Sequence, residues 1–132
     1  MLDEIRRQRI LVVDDDPVQL EYYIAVLEPD YDVVTAGSIS EAIEILSAGT
    51  LVDAVASDLH LGQGGNGNDL LAWTGEHQPA LISRFVMISG DAVVDTGVYT
   101  VRVIMKPINP DELLQSVSML LEQGTEQTIS AE

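Results

Sequence analysis

Four short apolar runs in this chain each break off at a polar residue. Arg9-Ile-Leu-Val-Val13 runs into Asp14-Asp15-Asp16, Val52–Ser57 into Asp58, Phe85–Ile88 into Ser89, and Val101–Met105 into Lys106. Runs of this length, rich in β-branched residues and apolar at successive positions, read as strands buried on both faces. Tyr31–Ala36 reads as a further strand. Between the strands the apolar residues recur at helical spacing: Leu20, Tyr23, Ile24 and Leu27 in Pro17–Glu28; Ala42, Ile43 and Leu46 in Ser40–Ala48; Leu70, Leu71 and Trp73 in Asn68–Gln78. A last helix opens at Asn109-Pro110-Asp111-Glu112, with proline and acids in its first turn, and is expected to end near Gln123. Asp16 ahead of Pro17 suits an N-cap, and Ser38 or Ser40 suits the cap of the second helix. Strands alternating with helices predict βαβ units and a parallel sheet. Right-handed crossovers then put helices on both faces, a doubly wound α/β domain. In such sheets ligands bind beyond the carboxyl ends of the strands, where the polar residues fall.

The chain has 132 residues, enough for one core. The expected organisation is an N-terminal extension over 1–8, one domain over 9–123 and a flexible tail over 124–132. No apolar run nears the roughly 18 residues that span a membrane, and the first residues have no signal-peptide core. The lack of cysteine excludes disulfide and thiol chemistry and suits the cytoplasm. A net charge of −16 argues against direct binding of nucleic acid or anionic membranes, which needs a basic face.

Some of that negative charge is expected to be functional. Asp14, Asp15 and Asp58 converge at one end of the predicted sheet. Three clustered carboxylates repel, which raises the pKa of at least one unless a cation joins them. Mg²⁺, a hard ion with oxygen ligands, fits that donor set. The metal and Lys106 together can neutralise a phosphoryl group in transfer, Ser89 can hydrogen-bond one of its oxygens, and a carboxylate can be the nucleophile.

Ile10-Leu-Val-Val-Asp-Asp-Asp-Pro17, Ser57-Asp-Leu-His-Leu61, Val86-Met-Ile-Ser-Gly90 and Met105-Lys-Pro-Ile108 occur in this order. With them the chain resembles the receiver domain of two-component response regulators over about residues 9–123. The resemblance implies a flavodoxin-like (βα)₅ fold with strand order 2-1-3-4-5. It implies Asp58 as phosphoacceptor, Asp14 and Asp15 as the acidic pair, and Asp58 with the backbone carbonyl of His60 as the remaining protein ligands of Mg²⁺. Ser89 is then the switch hydroxyl, Lys106 the phosphoryl-contacting lysine, and Lys106–Pro107 a cis peptide. The implied donor is a histidine kinase or histidine phosphotransfer protein, and the implied output is an unknown downstream protein. Such a domain is a signalling phosphoacceptor, catalysing only its own phosphorylation and dephosphorylation. The chain is expected to be a stand-alone regulator or a fragment of a hybrid kinase or larger regulator.

The sequence also departs from the family. Gly62 stands where the family usually has proline, ahead of a glycine-rich loop, and Val103 stands where it has an aromatic switch residue. Only 11 residues, Gly90–Thr100, link the fourth and fifth strands, whereas a parallel crossover needs roughly a dozen. The fourth helix is therefore expected to be short or missing. His60 and Asp91 occupy positions where the family varies its dephosphorylation rate. One rival reading is a haloacid-dehalogenase-type phosphohydrolase: Asp14-Asp-Asp16-Pro-Val18 fits its D-x-D-x-[TV] signature, with Asp14 as nucleophile. In that reading the acidic motif resembling Gly90–Asp95 precedes Lys106 instead of following it, and Asp58 has no task. Another rival is a non-phosphorylated adaptor of the receiver fold.

Overall fold

The computed structural model of the protein describes residues 7–91 and 94–130. Most of the expected N-terminal extension and the last two residues of the expected tail lie outside that range. The strands are β1 (Arg9–Val13), β2 (Asp32–Ala36), β3 (Ala54–Asp58), β4 (Phe85–Ser89) and β5 (Arg102–Met105). The helices are α1 (Pro17–Leu27), α2 (Ile39–Ser47), α3 (Gly67–His77) and α4 (Pro110–Ser130), with short 3₁₀ segments at Gly62–Gly64 and Pro79–Arg84. All strand pairs are parallel and the order is β2-β1-β3-β4-β5, the order that the resemblance implied.

Helix starts follow local chemistry. The Val18 N–H donates to Asp16 Oδ1 at 2.9 Å, and the Glu41 N–H to Ser38 Oγ at 3.1 Å, so Ser38 rather than Ser40 caps α2. Asn66 caps α3 and Asn109 caps α4 in the same way. The last helix runs past its expected end at Gln123 to Ser130. Gly124 costs a helix interior roughly 1 kcal/mol relative to alanine, which does not by itself terminate it.

Two apolar layers flank the sheet, and the two-residue period of each strand sorts its side chains between them. Ile10, Val12, Ala54, Ala56, Val86, Ile88 and Ile104 face the layer that holds Tyr23 and Leu27 of α1 and Leu113 and Val117 of α4. Leu11, Val13, Val55, Phe85 and Met87 face the layer of α2 and α3. Because both faces are covered, β3 and β4 are buried throughout.

The covering fails at β5. Among the described residues no helix connects β4 to β5. Alternation places Val103 and Met105 opposite Ile104, and they are 37% and 45% exposed while Ile104 is buried. The connection is held to α3 instead. Asn68 Nδ2 donates to the Asp95 carbonyl at 2.7 Å, and Tyr99 lies across Gly75, where a Cβ would come within 2.0 Å of the tyrosine oxygen. A second close approach joins α3 to β3: a Cβ on Gly67 would lie 2.6 Å from the Asp58 carbonyl and 2.7 Å from Met87 Sδ.

Candidate functional site

Three consecutive aspartates at the end of β1 take three different positions. The Asp14 N–H extends the ladder by donating to the Ala36 carbonyl at 3.1 Å, which turns its carboxylate inward, where the residue is 1% exposed. Its Oδ1 accepts from the Asp16 N–H at 2.9 Å and its Oδ2 from the Tyr23 hydroxyl at 3.3 Å. Asp15 is exposed, and Asp16 caps α1. Asp58 is the final residue of β3, not the residue after it, and is 4% exposed. Its backbone pairs with Ile88, and the next amide, Leu59, donates to the Ile88 carbonyl at 2.8 Å. This register brings the Asp58 carboxylate to the end of β1, and oxygens of Asp14, Asp15 and Asp58 lie within 4.8 Å of one another.

Lys106 follows β5, yet its Nζ lies 3.2 Å from Asp58 Oδ1. Its own N–H donates to the Ser89 carbonyl at 2.8 Å, so the last residue of β4 orients the start of the lysine loop. Lys106–Pro107 is cis. Ser89 is buried, and its Oγ accepts from the Asp91 N–H at 2.9 Å. His60 is exposed, with Nε2 3.1 Å from Asp91 Oδ2.

Burial dominates the electrostatics. It pushes the Asp58 carboxyl above its ordinary value, opposed by the Lys106 hydrogen bond and charge and reinforced by Asp15. Burial likewise raises Asp14, against the Asp16 N–H, with Asp58 adding to the rise. Burial and then the Asp14 charge hold the Tyr23 phenol protonated, so it is a donor. The donor set is made of hard carboxylate oxygens without sulfur or imidazole in the cluster, which fits Mg²⁺ or a similar hard ion. A lysine on a buried carboxylate beside such a cluster suits the transfer of an anionic group.

The sequence named Asp14, Asp15, Asp58, Ser89, Lys106 and His60 and expected the three aspartates to converge, and the structure brings those aspartates and Lys106 together. His60 and Asp91 form a pair of their own at the edge of the site. Tyr23 was legible only as part of the apolar stripe of α1. The missed signal was its hydroxyl, because a tyrosine on a core-facing stripe must find a polar partner.

The family model of the response regulator receiver domain matches residues 10–118. The chain is 32% identical over 123 residues to the transcriptional regulatory protein GlrR of Escherichia coli (strain K12), covering 90% of this chain and 27% of that protein. It is 33% identical over 125 residues to the transcriptional regulatory protein AruR of Pseudomonas aeruginosa, covering 87% of this chain and 50% of that one. The chain thus spans between about a quarter and a half of these curated relatives. Among solved structures, a CheY-like response regulator receiver domain protein from Methanospirillum hungatei JF-1 superposes with a TM-score of 0.82 at 26% identity, covering 92% of this chain and 98% of that one. The signal receiver domain of an HD domain-containing protein from Pseudomonas fluorescens Pf-5 gives 0.79 at 29% identity, with 93% of each chain covered.

Proposed function

The chain belongs to the response regulator receiver domain family, and from that premise we propose that Asp58 is its phosphoacceptor, charged by a histidine kinase or histidine phosphotransfer protein in a Mg²⁺-dependent reaction. Family membership removes the phosphohydrolase reading, and Asp16, the acid that reading needs, caps α1. The observation that carries the proposal is the contact of Lys106 Nζ with Asp58 Oδ1 at 3.2 Å beside two further carboxylates.

The nucleophile has to be ionised. Burial opposes this and Lys106 favours it. An Asp58 carboxylate oxygen attacks phosphorus while the P–N bond to the donor imidazole breaks, and its electron pair leaves on the imidazole nitrogen. The Lys106 ammonium meets charge on the phosphoryl oxygens, and the Ser89 hydroxyl donates its proton in a hydrogen bond to one of them. Asp14, Asp15, Asp58 and the His60 carbonyl would hold Mg²⁺, which when bound would supply positive charge to the site. Hydrolysis returns Asp58 to the carboxylate, so the domain turns over only its own phosphate.

Phosphorylation biases a conformational equilibrium by stabilising one member of it. With Val103 at the position of the family's aromatic, the route to the output starts at Ser89. Turning its hydroxyl to the phosphoryl group draws the Oγ away from the Asp91 N–H that donates to it. The reader is a downstream protein, not nucleic acid or membrane, and the expected compartment is the cytoplasm. Among the described residues no helix is long and apolar enough to cross a membrane.

The test is labelling of wild type and Asp58→Asn by acetyl phosphate, with and without Mg²⁺, followed by borohydride reduction and mass mapping. Label on Asp58 that needs Mg²⁺ supports the proposal. Equal labelling of the two proteins overturns it, and a wild type that takes no label favours an adaptor of the same fold.

A further inference from the structure

Helix α1 carries two consecutive tyrosines with different tasks. Neighbouring helix positions diverge by roughly 100°, so Tyr22 and Tyr23 reach different parts of the molecule. The Tyr22 hydroxyl donates to the Ile108 carbonyl at 3.0 Å. Tyr23 is fully buried in the α1–α4 layer, and its hydroxyl reaches Asp14 Oδ2 at 3.3 Å. The two rings meet edge to face, with centroids 6.0 Å apart.

A phenylalanine would fill the Tyr23 space without bringing a polar atom into the core. A buried hydroxyl is costly unless paired. This one pairs with an ionisable group of the site, not with a backbone carbonyl, at 3.3 Å. The other Asp14 oxygen already accepts the Asp16 N–H at 2.9 Å. The two donors, one to each oxygen, hold the carboxylate where oxygens of Asp15 and Asp58 lie within 4.8 Å of it. Ligand carboxylates elsewhere are oriented by hydrogen bonds of this kind.

Resting on the Mg²⁺-site reading above, we infer that Tyr23 is a positioning residue that presets the Asp14 carboxylate for the cation. Tyr22 provides the control, since it loses the same atom from the same helix without touching Asp14. The experiment is calorimetric titration of the purified protein with Mg²⁺, on wild type, Tyr23→Phe and Tyr22→Phe, with circular dichroism to establish that each is folded. Tyr23→Phe is expected to weaken Mg²⁺ binding about tenfold, the lower end of the effect of removing an outer-shell partner. Tyr22→Phe is expected to stay within twofold of wild type. A cycle with Asp14→Ala, which removes the acceptor, supplies a second readout, in which adding Tyr23→Phe to Asp14→Ala changes the residual affinity no further. The inference is overturned if Tyr23→Phe binds like wild type, if both tyrosine variants weaken binding equally, or if the effect survives in full in Asp14→Ala. A wild type that binds no Mg²⁺ overturns the underlying site reading instead, so the two failures are distinguishable.

Discussion

Lys106 Nζ sits 3.2 Å from Asp58 Oδ1, although β4 lies between the strands that lead to the two residues. The lysine arches over the end of β4, where the Ser89 carbonyl takes its backbone N–H. Its ammonium opposes the effect of burial on Asp58 through both its hydrogen bond and its charge.

Lys106→Met should therefore cost reactivity at Asp58 more than it costs folding. The initial rate of labelling by acetyl phosphate at saturating Mg²⁺ is expected to fall at least about tenfold, as when one charge-stabilising donor is removed. A rate within twofold of wild type would show that the lysine does not act on the transferred group.

Two carboxyls raised by burial make a prediction about pH. Asp14 and Asp58 bind protons more tightly in the folded chain than at their ordinary value of 3.8. The folded state then holds more protons than the unfolded one just above 3.8, so the contribution of these groups to stability falls as pH rises through that window. At pH 7 without Mg²⁺, Asp58→Asn is expected to raise the thermal midpoint by roughly 3 °C, the shift that about 1 kcal/mol makes in a chain of this size. Adding Mg²⁺ should raise the wild-type midpoint and raise that of Asp58→Asn less. A lower midpoint for Asp58→Asn in the metal-free state would mean that Lys106 outweighs burial.

Gly75 is expected to tolerate no side chain while Tyr99 covers it. Gly75→Ala should destabilise by about 1–3 kcal/mol in urea unfolding, the usual cost of overpacking. In a Tyr99→Ala background the same change should become stabilising by up to about 1 kcal/mol, since alanine favours the helix. Simple additivity of the two changes would argue that the ring does not rest on α3 in solution.

The bare side of β5 can be checked by contrast between neighbours. Val103→Thr and Met105→Gln should each change stability by no more than about 0.5 kcal/mol, as exposed positions do. Ile104→Ala, one position along on the buried side, should cost about 2–5 kcal/mol. A large cost at Val103 or Met105 would mean that a further element covers that face.

Much of this molecule is local information. The strands of β1, β3 and β4 are visible as apolar runs because both of their faces are buried. Asp16 is visible as a cap, and the cap of α2 is narrowed to Ser38 or Ser40, because a cap bonds to amides only two or three residues away. That the helix between β4 and β5 would be short or missing was legible from chain length, because Gly90–Thr100 is too short for a crossover with a full helix, and among the described residues no helix lies there. The motifs at the strand ends located Asp14, Asp15, Asp58, Ser89 and Lys106 for the same reason: a strand that ends must turn, and its end is where the polar residue sits.

Tertiary structure decided what those residues meet. The reach of Lys106 over β4 depends on the register of three strands, which no local pattern encodes. Tyr23 and Leu27 look alike in a helical stripe, and only the packing of α1 on β1 gives the tyrosine hydroxyl a carboxylate to hold. Tyr99 found Gly75 because α3 and the shortened connection were brought side by side. Hydrophobic period and capping are properties of neighbours along the chain, so the sequence by itself determined the elements and the ends at which chemistry is possible. Contacts between residues far apart in the chain depend on how the layers settle against each other, and that the folded protein alone supplies.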